Sequence, residues 1–464
     1  MKALLIVFVT GLLALFFGLR TDKRWVVQAL AVAGLIAALG ATYYDWAWGT
    51  PFEMAGMIHF DHYALAFSGI SICATLLIVL MSDRSYQGSE ENYGDYFALI
   101  LFSLCGAFCL FSFESLIMMF LGIEILSIPM YALAGARKDR LASNEAALKY
   151  FLMGAFATGI LLFGIALVYG ATASFNITEI SDAIQSKGAM IPAFFYVGVI
   201  LILVGLSFKV GAAPFHYWSP DVYEGSPNLV TVFMSAVVKI AAFGAFFRLF
   251  AGSFSGIIGQ WGPTLSVIAL LTMTLGNVTA VMQSNFKRLM AYSSIAHAGY
   301  LLLGILSSER GVGGVMLVYL LSYAVATISA FGVYMALSKD NEGAGIQIFR
   351  GLSRRDGWSA AAMAVAMLSL AGIPPTAGFF GKYFLFAEAF PEYPLLVLAA
   401  VLNSAVSVYY YFRVIIEMYF APVAEDTAVA KTDFGRNYRI VIIAGLILLL
   451  GLSLAPGWLL GLPV

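Results

Sequence analysis

The chain alternates apolar runs of helical length with short polar stretches. The runs fall near residues 3–18, 25–42, 64–81, 95–112, 115–135, 147–169, 192–223, 228–249, 264–282, 289–306, 313–337, 359–389, 394–418 and 439–459. About 20 apolar residues suffice to cross the hydrocarbon of a bilayer, and a helix there satisfies its own backbone. The pattern therefore predicts an all-α polytopic membrane protein of about 14 transmembrane helices, numbered here in chain order as spans 1 to 14. An even number puts both termini on one side. Span 1 is followed by Leu19-Arg20-Thr21-Asp22-Lys23-Arg24 and not by a small-residue cleavage site, so it reads as a span and not as a secretory signal.

Composition agrees with that pattern and narrows it. Of 464 residues, 61% are hydrophobic and 11% charged, against roughly a quarter charged in a soluble domain. This excludes a soluble globular protein and leaves little chain for a catalytic head. The net charge of −1, from 25 basic and 26 acidic residues, gives no basic field for nucleic acid. Cys73, Cys105 and Cys109 lie inside apolar runs without metal-ligand spacing and read as small buried hydrophobes. Scattered His59, His62, His216 and His297 make no metal signature. Any electron transfer is expected in other chains.

The positions of the basic residues carry more than their number. Seventeen fall in loops on one side, from Arg20 to Arg439 and including Arg84, Lys287, Arg288, Lys339 and Lys431, against Lys2, Lys187, Arg248 and Arg310 on the other. The positive-inside rule makes the larger set cytoplasmic and predicts that both termini face outward. Four lysines remain within spans: Lys149, Lys209, Lys239 and Lys382. A charge at the bilayer centre costs about 2.5 to 3.5 kcal/mol on insertion scales and marks ion or substrate pathways.

Glu124 lies mid-run in Ser115–Gly135 and must be neutral or partnered; Lys239 is as central in its own run. Each could be half of a buried structural pair, but one acid cannot pair several lysines. Lys209 precedes Gly211-Ala212-Ala213-Pro214, where the proline removes the donor for the Val210 carbonyl and should break the helix. Span 12 is too long for one straight crossing and carries Gly372, Pro374, Pro375, Gly378 and Gly381 before Lys382. Broken backbone at membrane depth is tolerated where protein buries it or where it lines a wet cavity. Paired breaks are a mark of repeat-built transporters.

The breaks lie in spans 7 and 12. Five is an odd interval, so a repeated five-helix unit must be inserted upside down, giving inverted repeats over spans 4–8 and 9–13 and one half-channel to each side. The corresponding domains are 1–94 with the first three helices, 95–250 and 251–420 with the repeats, and 421–464 with a loop and the last helix. Lys149 lies four residues after Glu145, so an i,i+4 pair competes with a relay role. His297, mid-helix in the second half, could relay a proton or bond a serine. His216 could line the break beside Lys209 or cap the helix after it.

The run from Phe208 to Pro227, with Pro214-Phe215-His216-Tyr217-Trp218-Ser219-Pro220-Asp221-Val222-Tyr223-Glu224-Gly225, resembles the subunit N family of proton-pumping NADH-quinone oxidoreductase, respiratory complex I. The similarity continues through Val238-Lys239-Ile240, Phe286–Tyr300 and Ala371–Lys382, and spans nearly the whole chain. It implies an antiporter-like subunit without a redox centre, held between K-type and M-type neighbours in the bacterial-type inner membrane. By motif match it implies a proton route through Glu124, Lys209, Lys239 and Lys382, driven by quinone reduction elsewhere. NADH, FMN, iron–sulfur clusters and quinone would be used by the parent complex, and no cofactor by this chain. The alternatives are a subunit of a multisubunit cation/proton antiporter, a passive membrane scaffold and a free-standing solute transporter.

Overall fold

The computed structural model describes residues 1–20, 23–49, 51–83, 93–307, 313–338, 343–422, 434–454, 457 and 460. Arg84, Arg310, Lys339 and Lys431, used above to orient the chain, lie outside the described residues, as does most of the end of span 14. Among the described residues, twelve helices are long and apolar enough to cross a membrane, and Lys2–Gly18 and Gly357–Ala371 are shorter apolar helices. Each falls on one of the sequence runs. Several extend past the apolar stretch because amphipathic turns continue them: span 2 is Arg24–Trp48 and span 6 is Leu141–Thr172.

The spans meet through small residues, as expected where lipid removes the hydrophobic drive between helices. A Cβ on Gly106 of span 4 would sit 2.3 Å from the Leu126 nitrogen of span 5. On Gly276 of span 9 it would sit 2.5 Å from the Ala296 nitrogen of span 10. Spans 8, 10 and 11 are buried almost throughout, while spans 2, 6, 13 and 14 present apolar side chains outward. The central position of Lys239 and His297 follows from this arrangement.

Two elements between spans escape the sequence pattern because both are short. A hairpin pairs Phe52–Met54 with Ile58–Phe60 between spans 2 and 3. An amphipathic helix, Ile177–Lys187, lies between spans 6 and 7, with Asn176 accepting from the Thr178 and Glu179 amides. Hairpin and helix are tied to the start of span 5 by Glu114 N–H to the Met57 carbonyl (2.8 Å) and Ile177 N–H to the Glu114 carbonyl (2.9 Å). Arg248 closes the same end with ion pairs to Asp61 (2.8 Å) and Glu114 (2.7 Å).

Both predicted breaks are present, one of them earlier than the proline suggested. Span 7 ends at Val210 because Gly211 adopts φ 72°, with the Gly211 and Ala212 amides returning to the Phe208 and Ser207 carbonyls. This is a glycine C-cap, so Pro214 follows the stop instead of making it. The chain then unwinds, with Ala213 N–H donating to Thr272 Oγ1 of span 9 (2.9 Å), before the short helix Trp218–Gly225. Span 12 does the same: Gly357–Ala371 ends at Gly372 with φ 81°, and Ala377–Ala389 resumes the crossing. The Ala213-Pro214 and Pro374-Pro375 peptide bonds are cis. Span 8, Asn228–Ser253, contains π-helical segments at Met234–Val238, directly before Lys239, and at Arg248–Ser253.

Candidate functional site

Lys209, Lys239 and Lys382 are all buried, each at most 6% exposed, and none forms an ion pair among the described residues. Each ammonium is held by oxygen dipoles and an aromatic face. Lys209 donates to Ser127 Oγ of span 5 (2.6 Å) and lies 5.7 Å from the centre of the Tyr150 ring. Lys239 donates to the carbonyl and hydroxyl of Ser294 and sits over Tyr323. Lys382 donates to the Leu370 and Ala371 carbonyls and to Ser404 Oγ, each at 3.0 Å, and sits 5.0 Å from the Tyr300 ring centre.

The two break lysines lie on opposite sides of their breaks. Lys209 occupies the last turn of the helix that ends at Val210. Lys382 starts in the helix after its break and reaches back to the last carbonyls of Gly357–Ala371. The Lys382 cation therefore meets the negative end of a half-helix, whereas the Lys209 ammonium is held across the span interface by Ser127. Lys382 also lines a cavity of about 480 Å³ with Gly372, Ile373, Tyr383 and Ser404.

Glu124 is half-buried on span 5, three residues before Ser127, and makes no hydrogen bond or ion pair among the described residues. It lies near Lys209 and Tyr131 without being bonded to either. Ser127 occupies the Lys209 ammonium instead. Around Glu124, Leu121, Ile125 and Ile128 are exposed.

His297 is buried and bonds no serine directly. Nδ1 faces the Tyr319 hydroxyl (2.8 Å) and Nε2 the Tyr411 hydroxyl (3.1 Å), and Tyr411 in turn is bonded to Ser293 Oγ. Lys239 and Lys382 both act on the ring electrostatically, so His297 lies near both. His216 is buried in the first break and stacks on Tyr217, with Nδ1 unbonded. Its carbonyl, not its ring, caps the following helix by accepting from Ser219 N–H (3.0 Å).

Lys149 stands apart from this buried set. It pairs with Glu145 (2.7 Å), as its spacing suggested, and also with Asp221 (2.6 Å). Arg288 reaches Asp221 (2.9 Å) and Glu224 (2.8 Å), and Asn285 donates to Glu224 (3.0 Å). The neighbouring Lys287, placed in a loop by the sequence pattern, is fully buried and donates to the Ser226 carbonyl. That correction arises because the helix begins at Phe286, three residues before its apolar run. Lys287, Arg288 and Asn285 of span 10 thus grip the segment that leaves the first break. Ser127, Ser294, Tyr319 and Tyr323 carry no sequence signal beyond a hydroxyl inside an apolar run, and Tyr411, which with Tyr409 and Tyr410 reads in sequence as an interfacial aromatic near a span end, is instead fully buried.

The chain resembles known proteins along nearly its whole length. Residues 113–407 match the family described as NADH:quinone oxidoreductase/Mrp antiporter, TM. The chain is 39% identical over 457 residues to NADH-quinone oxidoreductase subunit N of Cytophaga hutchinsonii, covering 97% of each. It is 44% identical over 402 residues to the subunit N of Trichlorobacter lovleyi, covering 86% of this chain and 82% of the relative. A chain in the structure of respiratory complex I from Thermus thermophilus with bound aureothin superposes with a TM-score of 0.85 at 35% identity, over 99% of this chain and 98% of that one. With the helix breaks, the buried lysines and relatives matched along nearly the full length, the chain belongs to the NADH-quinone oxidoreductase subunit N family.

Proposed function

We propose that this chain is a proton-translocating membrane-arm subunit of an NADH-quinone oxidoreductase. It carries no redox chemistry itself, and NADH, FMN, iron–sulfur clusters and quinone are used by the parent complex. Protons move along Lys209, Lys239 and Lys382, with His297 between the last two and His216 at the first break. The observation that carries this reading is that three lysines are buried at membrane depth on hydroxyls, carbonyls and aromatic faces, with no carboxylate bonded to any of them among the described residues. Fixed structural charges in such surroundings would call for ion-pair partners. Groups that gain and lose a proton need only donors and acceptors that serve either state.

Glu124 acts on Lys209 through space and sets how firmly that lysine holds its proton. Its apolar surroundings on span 5 suit a neighbouring membrane subunit, of the K type or the M type, with both termini of this chain outward. Quinone reduction elsewhere would then reach Lys209 by shifting Glu124.

The test is Lys209→Ala in the assembled complex, reading protons moved per electron and turnover. We expect the variant complex to assemble and to lose most of its pumping. A wild-type ratio at wild-type rate would sink the lysine route.

A further inference from the structure

Away from the buried lysines, spans 12 and 14 enclose a cavity of about 580 Å³ at the end where both begin. Arg355, Asp356 and Trp358 line it from the start of Gly357–Ala371, and Arg439, Ile443 and Ile447 from Arg436–Leu454. Neither arginine has an acid. Arg355 Nη2 donates to the Ile348 and Arg350 carbonyls (3.2 and 2.8 Å), which leaves its Nε and Nη1 without a partner among the described residues. The Arg439 side chain forms no hydrogen bond or ion pair among them. The one carboxylate lining the cavity, Asp356, is turned to its own helix, where it accepts from Ser359 N–H (3.3 Å) and Ser359 Oγ (3.2 Å).

Without an anion this placement is unfavourable. A helix N-terminus carries partial positive charge, which disfavours a cation and favours a carboxylate or phosphate. Arg439 lies in the first turn of its helix, and Arg355 immediately precedes the Asp356 cap of the other. Partial burial further disfavours the Arg355 charge. The rest of the cavity is apolar. Arg439, Ile443 and Ile447 recur every four residues and so share one helix face, and both isoleucines are exposed. Trp358, also exposed, suits the headgroup level at which indoles collect.

We propose that this cavity binds an anionic phospholipid, with Arg355 and Arg439 on its phosphate and an acyl chain along Ile443 and Ile447. Paired guanidinium groups hold phosphate oxygens by charge-assisted hydrogen bonds, and basic pockets between membrane helices are a recurring headgroup site. A free phosphate would use only the charged end. A ligand with an anionic head and a hydrocarbon tail uses both.

The experiment places the intact complex in phosphatidylcholine nanodiscs containing a small fraction of phosphatidylglycerol with a photoactivatable acyl chain, and reads labelled residues after irradiation. Ile443 and Ile447 should be labelled, and a phosphatidylcholine probe with the same chain should label them on the order of tenfold less, the difference that one hydrogen bond to a charged group provides. Exposed Ile36 on span 2 should take both probes equally. Excess unlabelled phosphatidylglycerol should displace the probe and inorganic phosphate should not. Arg439→Gln, which breaks no contact among the described residues, should lower labelling by a similar factor at unchanged abundance of the complex. Equal labelling by the two probes, wild-type labelling in Arg439→Gln, or displacement by inorganic phosphate would overturn the proposal. So would an unlabelled Ile443 and Ile447 beside a labelled Ile36, because a neighbouring chain would then cover the groove. Should Arg439→Gln not assemble, the two probes on the unaltered complex decide.

Discussion

At the scale of single residues, the charges were legible in sequence and their partners were not. Lys209, Lys239, Lys382 and Glu124 stand out because a charge inside an apolar run is costly. What holds Lys209 and Lys239 comes from another span: Ser127 lies 82 residues from Lys209, and Ser294 lies 55 from Lys239. No local pattern reports contacts at such separations. Ser127 is the sharpest case, because it is bonded to the lysine that Glu124 only influences. Ser127→Ala removes a hydrogen bond to a buried charged group, worth about 1.5 to 3 kcal/mol, without touching either ionisable side chain. Pumping then slows by roughly tenfold or more. Ser127→Thr keeps the hydroxyl and should retain most of the rate. Turnover of the assembled complex with each variant checks this, and equal rates for alanine and threonine would refute a role for the hydroxyl.

At the scale of elements, proline gave the location of the two breaks and glycine sets where they fall. Gly211 and Gly372 both adopt left-handed backbone, so an alanine at either costs about 1 to 2 kcal/mol. Their surroundings differ. A Cβ on Gly211 meets nothing nearer than Ser219 Cβ at 4.0 Å, whereas on Gly372 it would lie 2.8 Å from Lys382 Cδ. Gly211→Ala should therefore lower stability with pumping largely kept, while Gly372→Ala should also displace the Lys382 side chain and lose pumping. Comparing proton movement per assembled complex separates the two effects; equal loss in both variants would mean that the breaks act only through backbone strain. The π-helical turn before Lys239 had no sequence signal, since Met234–Val238 contains neither glycine nor proline. Such turns recur at functional sites, and this one precedes a lysine that its place inside an apolar run had already marked.

At the scale of the whole molecule, the two halves proposed as inverted repeats share more than broken helices. Each carries a lysine beside its break, and each packs its first two spans through a glycine. They are joined at one end by charge, where Asp221 stands between Lys149 of the first half and Arg288 of the second. These side chains are about one-third exposed, so each pair contributes little on its own, about 1 kcal/mol or less. Removing Asp221 also leaves Lys149 its Glu145 and Arg288 its Glu224. Asp221→Asn should therefore lower the stability of the complex only modestly, and Lys149→Gln combined with it should do less than the two effects added, because both remove the same contact. The same variants distinguish a clasp from a relay at Lys149. If Lys149 holds the segment leaving the first break, Lys149→Gln keeps most of the pumping and loses a little thermal stability. If it carries the proton, Lys149→Gln falls as far as Lys209→Ala with stability unchanged. The exposure of Lys149 and its two acidic partners favour the clasp: a lysine paired with Glu145 and Asp221 is held charged, and a relay must be able to let its proton go.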